Sequence, residues 1–208
     1  MVSEERDRRE QILEAAFEEF SAKGFRGATI KSIARAAGLQ SPALIYWYFP
    51  DKEALFREVL ESQVPVLRTV QHPAGLMDRP PEEVLPTIAR RYLSTFDNPA
   101  AQRMARLLVG EAMRRPEIAE IFGNAVIKRM LGFLKSYMAH QVELGRLRPH
   151  DVRSSARAFI GMLLPQVGGK VFFPAIWEDG LTDDEHVENA VRMLLAGLRP
   201  EGRQGWTP

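Results

Sequence analysis

Between Gly24 and Asp51 the chain is punctuated too closely for any long element. Gly38, Pro42 and Pro50 cut it into helical pieces of about two turns, and one piece carries Tyr46, Trp47, Tyr48 and Phe49 in a row. A core helix spaces its rings three or four apart and a strand alternates them, so this crowding asks for a surface. Thr29 precedes "IKSIARAAGL", whose Ile30, Ile33, Ala34 and Ala37 fall at helical spacing, and reads as an N-cap satisfying an orphan amide. Gly38 closes that helix. The next starts at Gln40 or Ser41, with Pro42 in its first turn, where the missing N–H costs nothing, and Pro50 ends it. Asp51 caps "KEALFREVLESQV", with Leu55, Phe56, Val59 and Leu60 facing inward. Upstream, residues 4–23 place Ile12, Leu13, Ala16, Phe17 and Phe20 on one stripe and end at Gly24, a residue suited to the left-handed C′ conformation. Two short helices joined by a glycine-containing turn and buttressed by longer ones make a helix-turn-helix unit, here over about residues 29–49.

The rest of the chain is helical as well. Pro73, Gly75, Pro80 and Pro81 mark a loop over 70–81, and the apolar spacing beyond it predicts helices at about 82–96, 100–114, 117–143, 151–173 and 183–197. No period-two pattern of useful length occurs. The expected fold is all-α, with a helix-turn-helix domain over 1–62 and a larger helical domain over 63–208. Thr182 with Glu185 forms a capping box for the last helix, Asp183 and Asp184 sit at its positive end, and Pro200 follows the stop at Gly197. Its apolar residues Val187, Ala190, Val191, Leu194, Leu195 and Leu198 cover more than one side, and the preceding helix, with Phe159, Ile160, Met162 and Leu163, is similarly rich. Two readings fit. Phe159, Leu163, Val187, Val191, Leu194, Leu195 and Leu198 form a self-association surface, or they finish a monomer core.

Composition excludes several function classes. The 208 residues contain no Cys, so disulfides, thiolate metal sites and cysteine nucleophiles are absent, in keeping with a reducing cytoplasm. The N-terminus is too charged for a signal peptide, and no apolar run approaches the roughly 18 residues of a membrane span, so no membrane partner is expected. The four His are scattered, with no H-E-x-x-H or paired E-x-x-H arrangement, and "DDEH" at 183–186 is explained by the start of a helix, so no metal or cofactor is expected. "VGGK" at 167–170 lacks the glycine five positions before Gly169, and Val171 replaces the hydroxyl residue of a phosphate loop. No arrangement supports nucleophilic catalysis, and the chain is not expected to be an enzyme. Net charge is only +1, yet Lys23, Arg26, Lys31, Arg35 and Lys52 are opposed over residues 23–52 by Asp51 alone. That is either a basic surface or a helical pair with few acids.

The string "GATIKSIARAAGL…SPALIYWYFPDKEALF" resembles the DNA-binding domain of the tetracycline-repressor type (TetR-type) transcriptional regulators over roughly residues 8–60. That pattern is a Thr-capped helix with Ile-Ala, an Ala-Gly turn, a Tyr-aromatic-aromatic-Phe recognition helix, and a Lys-Glu pair opening the next helix. Between Leu39 and Phe49 this chain is one residue longer than the pattern, which predicts a lengthened recognition helix with a widened turn near Leu44 and Ile45. The resemblance implies a double-stranded DNA operator as partner and Thr29, Tyr46, Tyr48 and Lys52 as phosphate contacts, with Lys31 on the same basic surface. Phenol groups on rigid rings lose little entropy on ordering, and the amides near Asp51 and Lys52 offer an anion site. Base reading falls to Gln40, Ser41, Pro42 and Ala43: Gln bonds an adenine edge, Ser pairs with several bases, and Pro or Ala packs on a thymine methyl. Trp47 either touches the sugar-phosphate backbone or packs against the first helix. Phe49 reads as core. Arg6, Arg8 and Arg9 either extend to a neighbouring groove or are solvated.

The resemblance further implies a homodimer that offers two recognition helices to a pseudo-palindromic operator. The C-terminal body would sense a small effector and alter the separation or tilt of the heads, most simply as a repressor released by the effector. Candidate pocket residues are Met104, Leu107, Leu108, Phe122, Met130, Phe133, Tyr137, Phe159, Met162 and Trp177, with Met113 and Phe172 beside them. Methionine suits an adaptable apolar site, which points to a lipophilic or aromatic effector, although core packing explains any one of these residues. A helical adaptor that docks protein partners through its apolar C-terminal faces, without DNA, is the alternative.

Overall fold

The computed structural model describes residues 2–71, 73–176 and 180–200. Among them every regular element is helical, in ten α-helices joined by shorter 3-10 and π turns. They gather into two compact units interleaved along the chain: residues 1–64 with 97–127, and 65–96 with 128–208.

The first unit contains α1 (Val2–Gly27), α2 (Ile30–Ala36), a 3-10 helix (Pro42–Trp47), α3 (Lys52–Gln63), α6 (Pro99–Ala112), α7 (Pro116–Phe122) and a π turn (Gly123–Ile127). α1 is its spine, packed on α2, α3 and α6. The predicted stripe of α1 is inside: Ile12, Ala16, Phe17 and Phe20 are buried with Ile33, Leu55, Phe56 and Val59. Phe20 meets Phe56 edge to face at 4.8 Å, the geometry aromatic quadrupoles favour. Gly24 does adopt positive φ (+70°), but the helix resumes beyond it as far as Gly27, so the glycine makes a kink rather than an end. Residues 97–127, placed by linear reading with the C-terminal domain, pack in this unit.

The second unit contains α4 (Pro65–Gln71), α5 (Pro81–Leu93), α8 (Lys128–Glu143), α9 (Val152–Val171) and α10 (Asp183–Leu198). The expected loop over 70–81 is shorter than its proline content suggested, because α4 runs to Gln71 and Pro81 opens α5 at a position where its missing N–H is harmless. The segment after α4 is stapled to α8: Tyr137 Oη donates to the Arg79 carbonyl at 2.8 Å and buried Gln141 Nε2 to the Met77 carbonyl at 2.6 Å. The expected single helix over 117–143 is broken by the π turn at Gly123–Ile127. Thr182 and Glu185 cap α10 reciprocally, and at its far end Arg148 donates to the carbonyls of Leu198 and Gly197 at 2.9 and 2.8 Å.

The seven residues expected on an association surface are interior. Phe159 and Leu163 of α9 and Val187, Val191, Leu194, Leu195 and Leu198 of α10 are all buried within the single chain. The reason is that α10 packs on both α5 and α9, so two apolar sides are used up inside one protomer.

Candidate nucleic-acid interface

The site is built from three consecutive caps. Thr29 Oγ1 accepts the Ser32 amide at 3.0 Å while Ser32 Oγ accepts the Thr29 amide at 3.0 Å, a reciprocal box that starts α2. A hydroxyl used this way still has its own proton to donate outward. α2 ends in a Schellman arrangement: Leu39 N–H donates to the Ala34 carbonyl at 2.9 Å and Gly38 N–H to that of Arg35 at 3.1 Å, with Gly38 at φ +65°. Ser41 Oγ then accepts the Ala43 amide at 3.2 Å, and Pro42 opens the next helix. Asp51 Oδ1 accepts the Ala54 amide at 2.7 Å to start α3, so this carboxylate is a cap.

The widened turn expected near Leu44 and Ile45 does not form. The reading segment winds more tightly, as a 3-10 helix over Pro42–Trp47, with Leu44 N–H bonded to the Ser41 carbonyl at 3.2 Å and Tyr48 N–H to that of Ile45 at 3.0 Å. In a six-residue helix, i→i+3 bonds close one residue sooner than α bonds and leave fewer orphan amides. Ile45 and Phe49 are fully buried, and Arg9 lies over the Phe49 ring at 5.1 Å. Tyr46 and Trp47 face the other way, 53% and 81% exposed. Of the two readings of Trp47, packing on the first helix is therefore excluded.

Gln40, Pro42 and Ala43 are exposed and Ser41 half-buried. Lys31, Ala34, Arg35, Gly38, Leu39, Gln40 and Pro42 line an open groove of about 450 Å³. Arg35, one turn after Lys31 and so on its face, joins the groove from the basic cluster of residues 23–52, and its i, i+4 spacing from Lys31 is the sequence signal for it. Lys52 Nζ stands over the Phe25 ring at 4.5 Å. Partial burial pulls its pKa below the usual lysine range; the Glu111 carboxylate opposes that shift and Arg26 adds to it. Glu111 had no local sequence signal, because it reaches this region from α6. Arg9 is tied to Glu58 and Arg8 to Gln11, so neither is extended toward a groove, and the Arg6 side chain falls outside the described residues.

The pocket candidates divide between the units. Met104 and Leu108 are buried and Phe122 half-buried in the first; Met130, Phe133, Tyr137 and Phe159 are buried and Met162 half-buried in the second. Leu107 and Met113 instead face solvent from α6, the latter 84% exposed, and Trp177 lies outside the described residues. Burial pushes the Tyr137 phenol well above its ordinary pKa and that of Tyr92 to about 12, so both serve as neutral groups. Among the described residues no cluster of His, Asp and Glu could hold a metal ion, and no helix is long and apolar enough to cross a membrane.

A capped helix, a tight glycine turn and a short second helix showing aromatic and polar side chains beside basic ones define a helix-turn-helix transcriptional regulator. Residues 12–59 match the model of bacterial regulatory proteins of the tetR family, and residues 83–199 match the C-terminal domain of AefR-like transcriptional repressors. The chain belongs to the TetR family, whose members and the relatives below are transcriptional regulators rather than enzymes. It is 27% identical over 206 residues to the HTH-type transcriptional regulator RutR of Escherichia coli (strain K12), covering 93% of this chain and 91% of that one. It is 26% identical over 169 residues to SrpR of Pseudomonas putida, covering 78% and 74%. A putative TetR-family regulator from Mesorhizobium loti shares the fold with a TM-score of 0.71 at 24% identity, covering 94% of this chain and 98% of that one. FadR from Bacillus subtilis, solved in complex with stearoyl-CoA, does so with a TM-score of 0.66 at 18% identity, covering 90% and 97%.

Proposed function

We propose that this protein is a ligand-released repressor that binds a pseudo-palindromic operator as a homodimer. Thr29, Lys31, Tyr46, Tyr48 and Lys52 hold the phosphate backbone, and Gln40, Ser41, Pro42 and Ala43 read base edges. Trp47 lies along the sugar-phosphate backbone. The observation that carries this reading is the division of the aromatic run: Ile45 and Phe49 are fully buried anchors, while Trp47 is 81% exposed beside the basic groove of Lys31 and Arg35. Adjacent exposed rings rimmed by basic residues make a contiguous patch of the kind that marks an interaction site.

Since the apolar stripes of α9 and α10 are interior, the dimer uses their outward faces. Ala158, Gly161, Leu164, Pro165 and Phe172 of α9 and its C-terminal cap recur at helical spacing and are exposed, as are Met193, Ala196 and Gly197 of α10. Small residues around a few large ones let helices approach closely. A lipophilic or aromatic effector enters among the buried methionines and rings of the C-terminal helices and favours a conformation in which the two heads no longer match the operator.

Fluorescence anisotropy with mixed-sequence duplex at two salt concentrations tests the DNA role. Affinity should fall steeply with salt, and Lys52→Ala should reduce the slope by about one unit per bound subunit. Salt-independent or absent binding would leave the adaptor reading in its place.

A further inference from the structure

The kink of α1 is held from a distance. Glu111, in the last turn of α6, accepts the Phe25 backbone N–H on Oε2 at 3.1 Å. Its other carboxylate oxygen lies so close to Gly24 that a Cβ there would stand 2.9 Å from it, and Gly24 already has φ +70°. Glycine is thus required at this position by the backbone conformation, and a Cβ there would push the Glu111 carboxylate away. The Phe25 ring is packed against Phe56 at 4.9 Å and Phe20 at 6.0 Å, and Lys52 Nζ rests over that ring at 4.5 Å. Carboxylate, kinked backbone, ring and ammonium therefore form one connected cluster. Within it the Glu111 charge favours the protonated Lys52, against burial and the repulsion of Arg26.

We propose that Glu111 is a positioning residue for DNA binding: it anchors the Gly24–Phe25 kink and, through the Phe25 ring, sets where the Lys52 ammonium meets the phosphate backbone. This rests on the reading of Lys52 as a phosphate contact. A carboxylate so near a phosphate-binding lysine also competes with the phosphate by charge, and the two effects have opposite signs. Anchoring dominates, because a preorganised ammonium loses less freedom on binding than one that must be ordered by the DNA. The residue acts through Lys52 and touches no nucleotide itself.

The test is a double-mutant cycle on the full chain, read with a mixed-sequence duplex. Glu111→Ala should weaken binding by about fivefold, and Glu111→Gln, which keeps an oxygen for the Phe25 amide, should recover to within about twofold of the wild type. In a Lys52→Ala background, Glu111→Ala should change little further. Amide hydrogen exchange supplies a readout independent of DNA: exchange at Phe25 should accelerate in Glu111→Ala and stay slow in Glu111→Gln. Unchanged or tighter binding by Glu111→Ala would mean that the carboxylate acts only as a competing charge, and would overturn the proposal. A loss of the same size with and without Lys52 would also overturn it, by showing a merely structural role, as would unaltered exchange at Phe25. A wild type without salt-dependent DNA binding removes the functional reading first and this proposal with it; wild-type binding with Glu111→Ala unimpaired removes only the positioning role.

Discussion

Leu164→Arg should separate the proposed dimer without unfolding the protomer, whereas Leu194→Arg should unfold the protomer itself. Leu164 is 51% exposed on the outward stripe of α9, whereas Leu194 is 8% exposed inside the second unit. Fully burying a leucine is worth about 2 kcal/mol, so covering the exposed half of Leu164 contributes about 1 kcal/mol per protomer. Two-fold symmetry counts the residue twice, which makes about 2 kcal/mol, or a thirtyfold weaker dimer, before the guanidinium is considered. Burying two unpaired guanidinium groups opposite each other raises the penalty further. At position 194 the same substitution places the charge in the core, and the resulting loss of about 3–5 kcal/mol is a large share of a domain's whole stability. Sedimentation velocity over a range of concentrations, with circular dichroism melts beside it, distinguishes the two outcomes. Leu164→Arg should sediment as a monomer with an unchanged melt, and Leu194→Arg should lose cooperative melting. A Leu164→Arg protein that stays dimeric at wild-type concentrations refutes the outward-stripe assignment.

Tyr46→Phe should weaken all duplexes alike by about fivefold, the net value of one hydrogen bond, whereas substitutions at Gln40 or Ser41 should change which sequence is preferred; selection from a randomised duplex library reads both, and a shifted preference in Tyr46→Phe would refute the division of roles. Gly38→Ala should cost about 1–2 kcal/mol in a denaturant melt, because φ is +65° and nothing lies within 4 Å of the added methyl, so the penalty is the backbone's alone. His140 Nε2 bonds Asp78 Oδ1 at 2.9 Å and Nδ1 faces Glu143 at 3.5 Å, and chiefly the Asp78 bond raises its pKa above the ordinary value of about 6.5. The stabilisation is complete below that ordinary value and fades as pH rises through the raised one, so an NMR titration of His140 should move down, and this pH dependence of melting should shrink, in Asp78→Asn.

Local signals carried most of the helix-turn-helix. Thr29, Gly38, Ser41 and Asp51 each act on amides within a few residues, so reading neighbours along the chain is enough to place the helix ends. The winding of residues 42–47 was not legible in the same way, because a surplus residue can be absorbed by loosening or tightening a turn and side-chain spacing alone does not choose between them. The outcome turned on hydrogen-bond closure in an element only six residues long. The two readings of the apolar α9 and α10 residues, association surface or monomer core, could not be separated in the sequence for a different reason. A helix apolar on two sides records that it has two neighbours, and for α10 both neighbours, α5 and α9, lie in the same chain. Glu111 left no trace in the sequence because its partner amide is 86 residues away.

The interleaving of the two units bears on how such a regulator can be recombined. Residues 97–127 pack with residues 1–64, and α6 covers one side of α1. A single crossover that grafts this head onto a relative's body would pair α1 with a foreign α6, and Gly24 with whatever side chain that helix carries opposite it. A chimera that keeps its native kink therefore needs two inherited blocks, joined near residues 64, 97 and 127.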